Sequence, residues 1–383
     1  MDRIFPKNLT ENLKNSHGLI QVLTGSRQVG KTTAVSRFFD PATTLYASAD
    51  LPTPPTTDFI VQQWTKAREI SSSERTLVLD EVQKIPRWSE VVKKMWDEDK
   101  RNQTMLRVCL LGSSAILIEK GLSESLTGRF EMNFFPHWTY EECHKVFRAS
   151  LEDYVWMGGY PKAYDFAKDP ERLDHYLQNS IIEPSLGRDI LSLHAVDKPA
   201  LLRQLFWYVS RLPAHIVSFQ KILDHLQGNG NTATLVHYAE LLSQAFLVCP
   251  IYKYSIQPHR TKKSLPKWLL PNPGLVEASV RREGLKNFTF ENLIGSHLLN
   301  LLFGKTNWEL CYWKEQNDEI DYVITHHNEP ILALEVKSGR QKKIPHKLLL
   351  KKANLACPFM VIGQEEAHPL MSTQSIDDIL NLV

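Results

Sequence analysis

Apolar positions divide the chain into two kinds of pattern. Between residues 18 and 150, short apolar runs alternate with longer amphipathic ones. A parallel sheet covered by helices requires this, because its strands are buried on both faces. Residues 18–23, 44–47, 76–79, 106–111 and 132–135 read as strands, with helical stretches such as 89–99 between them. Residues 50–58, with three prolines, read as a surface loop. Residues 151–250 are mostly helical by period, for example 201–212 and 236–247, and 228–231 is a turn. A helix and strands return from 286, with a hairpin over 320–336. The pattern predicts three domains: an α/β parallel-sheet module over 1–150, a helical middle over 151–285, and an α/β domain over 286–383.

Composition changes this picture little. The 383 residues are 43% hydrophobic and 23% charged, and 45 Lys+Arg stand against 43 Asp+Glu. A net charge of +2 names no partner, so any nucleic-acid signal has to be local. The five cysteines are far apart and never in CxxC spacing, which argues against a zinc site or disulfide framework and fits a reducing cytosol. No apolar run approaches the roughly 18–20 residues of a membrane span, and the first residues lack a signal-peptide core. A cytoplasmic chain without a membrane segment is expected.

Chemistry concentrates first at Gly25, Ser26, Arg27, Gln28, Val29, Gly30, Lys31 and Thr32, which match GxxxxGK[ST] after a strand and before a helical pattern; Thr33 follows. Glycines there let backbone N–H groups curl around phosphates, and the helix N-terminus adds its dipole. Lys31 suits the β- and γ-phosphates of ATP, and the Thr32 hydroxyl suits Mg²⁺. About fifty residues downstream an apolar strand ends in Asp80-Glu81. Asp80 suits the Mg²⁺ shell, and Glu81 suits orienting and deprotonating the attacking water. The strand over 106–111 ends in Gly112-Ser113-Ser114, where Ser113 either positions that water or is ordinary turn chemistry. Arg129, just before the fifth strand, reads either as an arginine finger towards a neighbouring subunit or as a structural ion pair.

TGSRQVGKTT, LVLDEVQ, LLGSSA and SLTGRF, in this order, resemble the AAA-type ATPase module of a large prokaryotic group that pairs it with a C-terminal domain called DUF4143. The resemblance extends to Gly158-Gly159-Tyr160-Pro161, Arg188-Asp189-Ile190 (of unassigned role), Glu291-Asn292, and Trp313 through Glu335-Val336-Lys337. It implies an AAA-type ATPase requiring ATP and Mg²⁺. One departure stands out: where the family's pattern places an Asp before Gly274-Leu275, this chain has Pro273.

The predicted hairpin carries Glu319 and Asp321 on one strand and Glu335 and Lys337 on the next. A turn centred on Asn328 pairs positions whose numbers sum to 656, so Asp321 faces Glu335 and Glu319 faces Lys337. All four then share one face, and Ile320, Tyr322, Leu334 and Val336 the other, buried face. This is similar to the metal-binding core of PD-(D/E)xK nucleases, where two acids (here Asp321 and Glu335) hold Mg²⁺ and a lysine (Lys337) helps the attacking water. Glu291 would be the acid from the preceding helix. The bland alternative is a solvated strand face with one cross-strand ion pair. His326 and His327 read as turn residues.

Residues 252–268 hold five Lys/Arg, three aromatics and no acid, and 337–352 hold seven Lys/Arg and no acid. Such segments neutralise phosphates, and interleaved aromatics stack on bases. The first would be the wing of a winged-helix-like middle domain. Taken together, the sequence points to a Mg²⁺-dependent ATPase acting on DNA as a homo-oligomer. The alternative is a nucleotide-dependent switch whose nuclease-like domain only binds a protein or nucleic-acid partner.

Overall fold

A computed structural model describes residues 11–12, 18–53, 55–112, 125–191, 196–227, 230–255, 264–282, 284, 287–338 and 346–383. They form two compact units, Met1–Pro136 and His137–Val383. Among the described residues no helix is long and apolar enough to cross a membrane.

The first unit is built on β1 (Ile20–Gly25), β2 (Thr44–Ser48), β3 (Thr76–Asp80), β4 (Arg107–Gly112) and β5 (Phe130–Phe135). The order is β2-β3-β4-β1-β5 with every neighbour parallel. β1 and β3 are buried along their whole length, as strands covered on both faces must be. α1 (Lys31–Phe38), α2 (Thr57–Arg68) and α3 (Trp88–Arg101) connect them. Ile60, Trp64, Val92 and Trp96 pack with Val22, Leu77 and Val108 of the sheet. Asp99 on α3, itself buried, accepts from Trp64 Nε1 at 2.7 Å and pairs with Arg68 at 2.7 Å. Those partners offset the cost of burying its charge and tie α2 to α3.

In the second unit α4 (Tyr140–Phe147), α5 (Leu151–Met157) and α6 (Pro170–Tyr176) come first, and π-helical turns follow at Leu177–Ile182 and Ser185–Ile190. The Arg188 and Asp189 side chains lie outside the described residues. Next come α7 (Pro199–Ser210), α8 (Phe219–His225), α9 (Thr232–Gln244), and the antiparallel pair β6 (Cys249–Lys253) and β7 (Lys267–Leu269), with Ile216 bridged to Lys267. After the short α10 (Ala278–Arg281) come α11 (Asn287–Leu302), β8 (Trp308–Glu315), β9 (Asp318–His326), β10 (Glu329–Val336), α12 (His346–Ala353) and β11 (Phe359–Ile362), then α13 (Gln364–Met371) and α14 (Ile376–Leu380). The sheet order is β11-β10-β9-β8-β6-β7. The hairpin before residue 270 thus completes a sheet whose other strands lie beyond residue 307.

The β9–β10 turn is a two-residue one, with His327 and Asn328 at φ 51° and 66°, as type I′ hairpins require. Pairing therefore begins at Glu329 opposite His326, and an irregularity between Pro330 and Leu332 shifts it so that Leu334 meets Tyr322. The expected register is recovered through a bulge and not through a turn centred on Asn328 alone. His326 is a strand residue, its ring 4.4 Å from that of Trp308. The hairpin has no single buried face. The Tyr322 hydroxyl donates to the Glu291 carbonyl of α11 at 2.8 Å, while Val323 and Ala333 pack with Leu349 and Ala353 of α12. Asp321 and Glu335 are each only 7% exposed.

Candidate functional site

The phosphate loop follows β1 because Gly25 lies against β5: a Cβ there would stand 2.1 Å from the Phe135 carbonyl oxygen. Gln28 and Gly30 take positive φ (53° and 84°), which turns the chain back into α1. Gly30 adopts this at little steric cost, and it is the residue immediately before the helix. Lys31 is 9% exposed, and its Nζ donates to the carbonyls of Gly25 at 2.8 Å and Ser26 at 2.6 Å. Thr32 and Thr33 are exposed at the helix start, Val29 is buried, and Arg27 is half-buried. A concave loop with an ammonium folded into it and a helix N-terminus behind it suits a polyphosphate.

Asp80 ends β3 beside this loop. Thr32 Oγ1 donates to its Oδ2 at 3.1 Å, and the Glu81 backbone N–H donates to Oδ1 at 2.9 Å. The Tyr46 hydroxyl of β2 also donates to Oδ2. Sequence reasoning missed Tyr46; the available signal was its place on the strand that pairs with β3, where Ser48 meets Asp80. Burial, and then the bond to Asp80, raise the Tyr46 pKa above the ordinary tyrosine value, so the phenol stays a donor. Glu81 follows in the left-handed region at φ 53°, a conformation that a non-glycine residue adopts at some cost. Its carboxylate accepts from Gln83 Nε2 at 2.8 Å. Thr32 and Asp80 are therefore brought together, with Glu81 next to them.

Two further expectations fare differently. Ser113 lies outside the described residues, although β4 ends at Gly112 beside Thr24 of β1. Arg129 is held by Asp97 of α3, with Nε 2.9 Å from Oδ1 and a terminal nitrogen 3.3 Å from Oδ2. The hydrogen bond lowers the Asp97 pKa and raises that of Arg129.

The second cluster belongs to the unit His137–Val383. Glu291, Glu319 and Asp321 place a carboxylate oxygen each within 4.8 Å of one another. In their midst is Lys267, a residue of the basic segment that sequence reasoning assigned to nucleic acid. It is fully buried, in contact with Glu291, 3.5 Å from Glu319 and 3.4 Å from Asp321. Trp268 beside it is core as well. Burial opposes the Lys267 charge, but Glu291 and Asp321 more than offset it and hold its pKa above the ordinary lysine value. Glu319 pairs with Lys314 at 2.6 Å, because those residues meet across β8 and β9. Lys337 pairs with Glu335, and Asp321 Oδ2 accepts from the Val336 N–H at 2.8 Å. Burial and the nearby Asp321 charge push Glu335 up to about 7.

Residues 17–144 match the family model of an AAA domain. Residues 148–286 match a domain of unknown function (DUF8612), and residues 286–379 another (DUF4143). The chain thus carries an AAA-type domain in its N-terminal part and a DUF4143 domain in its C-terminal part. An uncharacterized protein of Haemophilus influenzae is 22% identical over 289 residues, covering 72% of this chain and 69% of its own. Among solved structures, a Walker-type ATPase of Pyrococcus abyssi is 13% identical, with 73% of this chain and 96% of that one covered at a TM-score of 0.47. The Aeropyrum pernix Orc1 protein in complex with DNA is 12% identical, with coverage of 74% and 92% and a TM-score of 0.28. Thermotoga maritima RuvB is 15% identical, with coverage of 63% and 85% and a TM-score of 0.31.

Proposed function

We propose that this protein is a Mg²⁺-dependent ATPase that couples nucleotide binding and hydrolysis to action on DNA, working as a homo-oligomer. The observation that carries the ATPase reading is the meeting of Thr32 and Asp80 at 3.1 Å beside the loop that holds Lys31. Thr32 and Asp80 would hold Mg²⁺, which when bound neutralises charge between the terminal phosphates. Residues Gly25 to Thr33 would hold ATP, with Lys31 exchanging the Gly25 and Ser26 carbonyls for phosphate oxygens. Glu81 would take the proton of the attacking water. Ser113 would orient that water, and Arg129 would serve a neighbouring subunit's site after leaving Asp97.

We read three functional segments: the ATPase module over 1–150, a winged-helix-like region over 151–285, and a PD-(D/E)xK-like domain over 286–383. The order α7, bridge at Ile216, α8, α9, hairpin β6–β7 supports the second. The order α11, three antiparallel strands, α12, then β11 parallel to β10 supports the third. DNA as partner is supported by the acid-free runs, of which Lys347 and Lys351 are exposed on α12. Helix α9, which would be the recognition helix, has no Lys or Arg, so the contact would run through the basic residues of 252–268 and α12 and would be electrostatic. A protein partner and the switch reading gain one specific observation: Lys267 already occupies the acid cluster. The deciding experiment is the ATPase rate with no DNA, duplex, single strand and branched DNA at matched salt. DNA stimulation supports the motor; nucleotide-dependent partner binding without stimulation supports the switch.

A further inference from the structure

In the nuclease-like hairpin, acids expected to hold a divalent ion are served by a cation of the chain itself. The Lys267 Nζ touches Glu291, lies 3.4 Å from Asp321 Oδ1 and 3.5 Å from Glu319 Oε1, and is 3.2 Å from the Asp321 carbonyl oxygen. The Tyr322 ring closes over it at 5.0 Å. Lys267 is 0% exposed, so its ammonium is enclosed by the cluster. Magnesium needs oxygens at about 2.0–2.1 Å in near-octahedral array and keeps several waters. The space among these three carboxylates holds an ammonium in place of that shell, and a dication there would face a buried like charge. Of the other expected ligand atoms, Glu335 Oε2 is buried without a hydrogen-bond partner among the described residues, and two more are engaged. Asp321 Oδ2 takes the Val336 N–H, and Glu335 takes Lys337. Lys267 reaches the cluster from β7, which lies within the segment matching the middle domain model, while the acids lie in the one that follows.

We propose that the Lys267 ammonium permanently fills the position that a nuclease-like centre gives its metal ion, so that the DUF4143 domain is a metal-free module that does not cleave phosphodiesters. This uses only residues of His137–Val383 and does not depend on the ATPase reading.

The test is Mn²⁺ binding to the full chain without nucleotide, followed by the electron-spin-resonance signal of the free ion. Wild type, Asp321→Asn and Glu335→Gln are expected to bind the same number of ions, because the acid cluster contributes none. Lys267→Met frees the three carboxylates and is expected to bind one ion more than wild type, and Lys267→Met/Asp321→Asn to lose it. A wild-type ion that disappears in Asp321→Asn or Glu335→Gln would overturn the proposal, as would a folded Lys267→Met that gains nothing. If Lys267→Met does not fold, the wild-type comparison still decides. Incubation of the wild type with supercoiled plasmid and Mn²⁺ needs no variant at all. Intact plasmid is expected, and nicking that Glu335→Gln abolishes would refute the idea.

Discussion

Removing the Tyr46 hydroxyl tests how Asp80 is held. In Tyr46→Phe the ring stays, and Asp80 Oδ2 keeps only the Thr32 hydroxyl at 3.1 Å, while Oδ1 keeps the Glu81 N–H at 2.9 Å. A hydrogen bond to a charged group contributes roughly 1.5–3 kcal/mol when buried. Tyr46 is 38% exposed, so water replaces part of the loss. A loss just below that range, about 1.4 kcal/mol, is the expectation and corresponds to about tenfold.

That loss should fall on the orientation of Asp80 towards Mg²⁺ and not on the phosphate cradle. The Mg²⁺ concentration for half-maximal ATPase activity should therefore rise about tenfold, with metal-free ATP binding unchanged. The assay is turnover against free Mg²⁺ at saturating ATP, beside fluorescent-nucleotide binding in chelator. Because burial and Asp80 raise the Tyr46 pKa, the wild-type rate should show no alkaline limb from this phenol below the ordinary tyrosine range. An unchanged Mg²⁺ dependence with a lowered melting temperature would refute the reasoning and leave Tyr46 a packing residue.

The other predictions concern separate groups. Lys31→Ala should abolish tight ATP binding, and Glu81→Gln should keep ATP yet hydrolyse it slowly; equal loss of binding and turnover in Glu81→Gln would mean its role is misassigned. Arg129→Ala should cut turnover by about 10³–10⁵ if it serves a neighbour's site, with partial rescue on mixing with Lys31→Ala subunits; a small effect without rescue would leave it as the structural partner of Asp97. Replacing Lys342, Lys343 (both outside the described residues) and Lys347 together should flatten the salt dependence of duplex binding by about 0.9 for each phosphate no longer neutralised; an unchanged slope would make this run mere solvated surface. Four carboxylates, Glu291, Glu319, Asp321 and Glu335, face three ammonium groups, Lys267, Lys314 and Lys337. Burial and the surplus charge raise Glu335 to about 7 and Glu291 to about 8 against an ordinary 4.5. The folded chain therefore holds protons that the unfolded chain has released. That stabilisation is complete below 4.5 and is lost as pH rises through 7 and 8. The thermal midpoint of the unit His137–Val383 should fall over that interval, and a rise would show the cluster to be fully ionised.

The parallel sheet was legible because its strands are uninterrupted apolar runs, and the phosphate loop because glycine, lysine and threonine occur at fixed spacing. Boundaries moved where local backbone ruled. The first strand was expected from residue 18, but Gly18 sits at φ 77° and β1 starts at Ile20. The helix expected over 236–247 begins at Thr232, capped by the Asn231 side chain on the Thr234 N–H at 2.8 Å, and ends before Phe246 at φ 60°. What stayed hidden depends on contacts distant in sequence. The acid expected before Gly274-Leu275 is absent, but buried Asn272 accepts from the Gly274 N–H at 2.9 Å and the Gly159 N–H at 3.2 Å. This also explains Gly158, where a Cβ would stand 1.9 Å from Asn272 Oδ1. Gly158-Gly159 and Gly274, far apart in sequence, thus meet at one buried asparagine. Lys267 was hidden for the same reason: a basic run gives no hint that one of its lysines is fully buried.

Asp80 and Asp321 look alike in sequence, each an acid on an apolar strand, and both are nearly buried at 6% and 7% exposure. Their surroundings assign them opposite uses. Among the described residues, the groups that donate to the Asp80 side chain are two hydroxyls and one backbone N–H, all neutral. Neutral donors orient a carboxylate and leave its negative charge to attract an ion from solution, which is what a Mg²⁺ ligand needs. Asp321 receives one backbone N–H and the ammonium of Lys267. A fixed cation within hydrogen-bonding range opposes that field where a dication would have to enter, and burial weakens the screening between them. The same residue type is thus a metal ligand candidate in the first unit and half of an internal ion pair in the second. The difference lies in the charge of the donors around it and not in the strand that carries it.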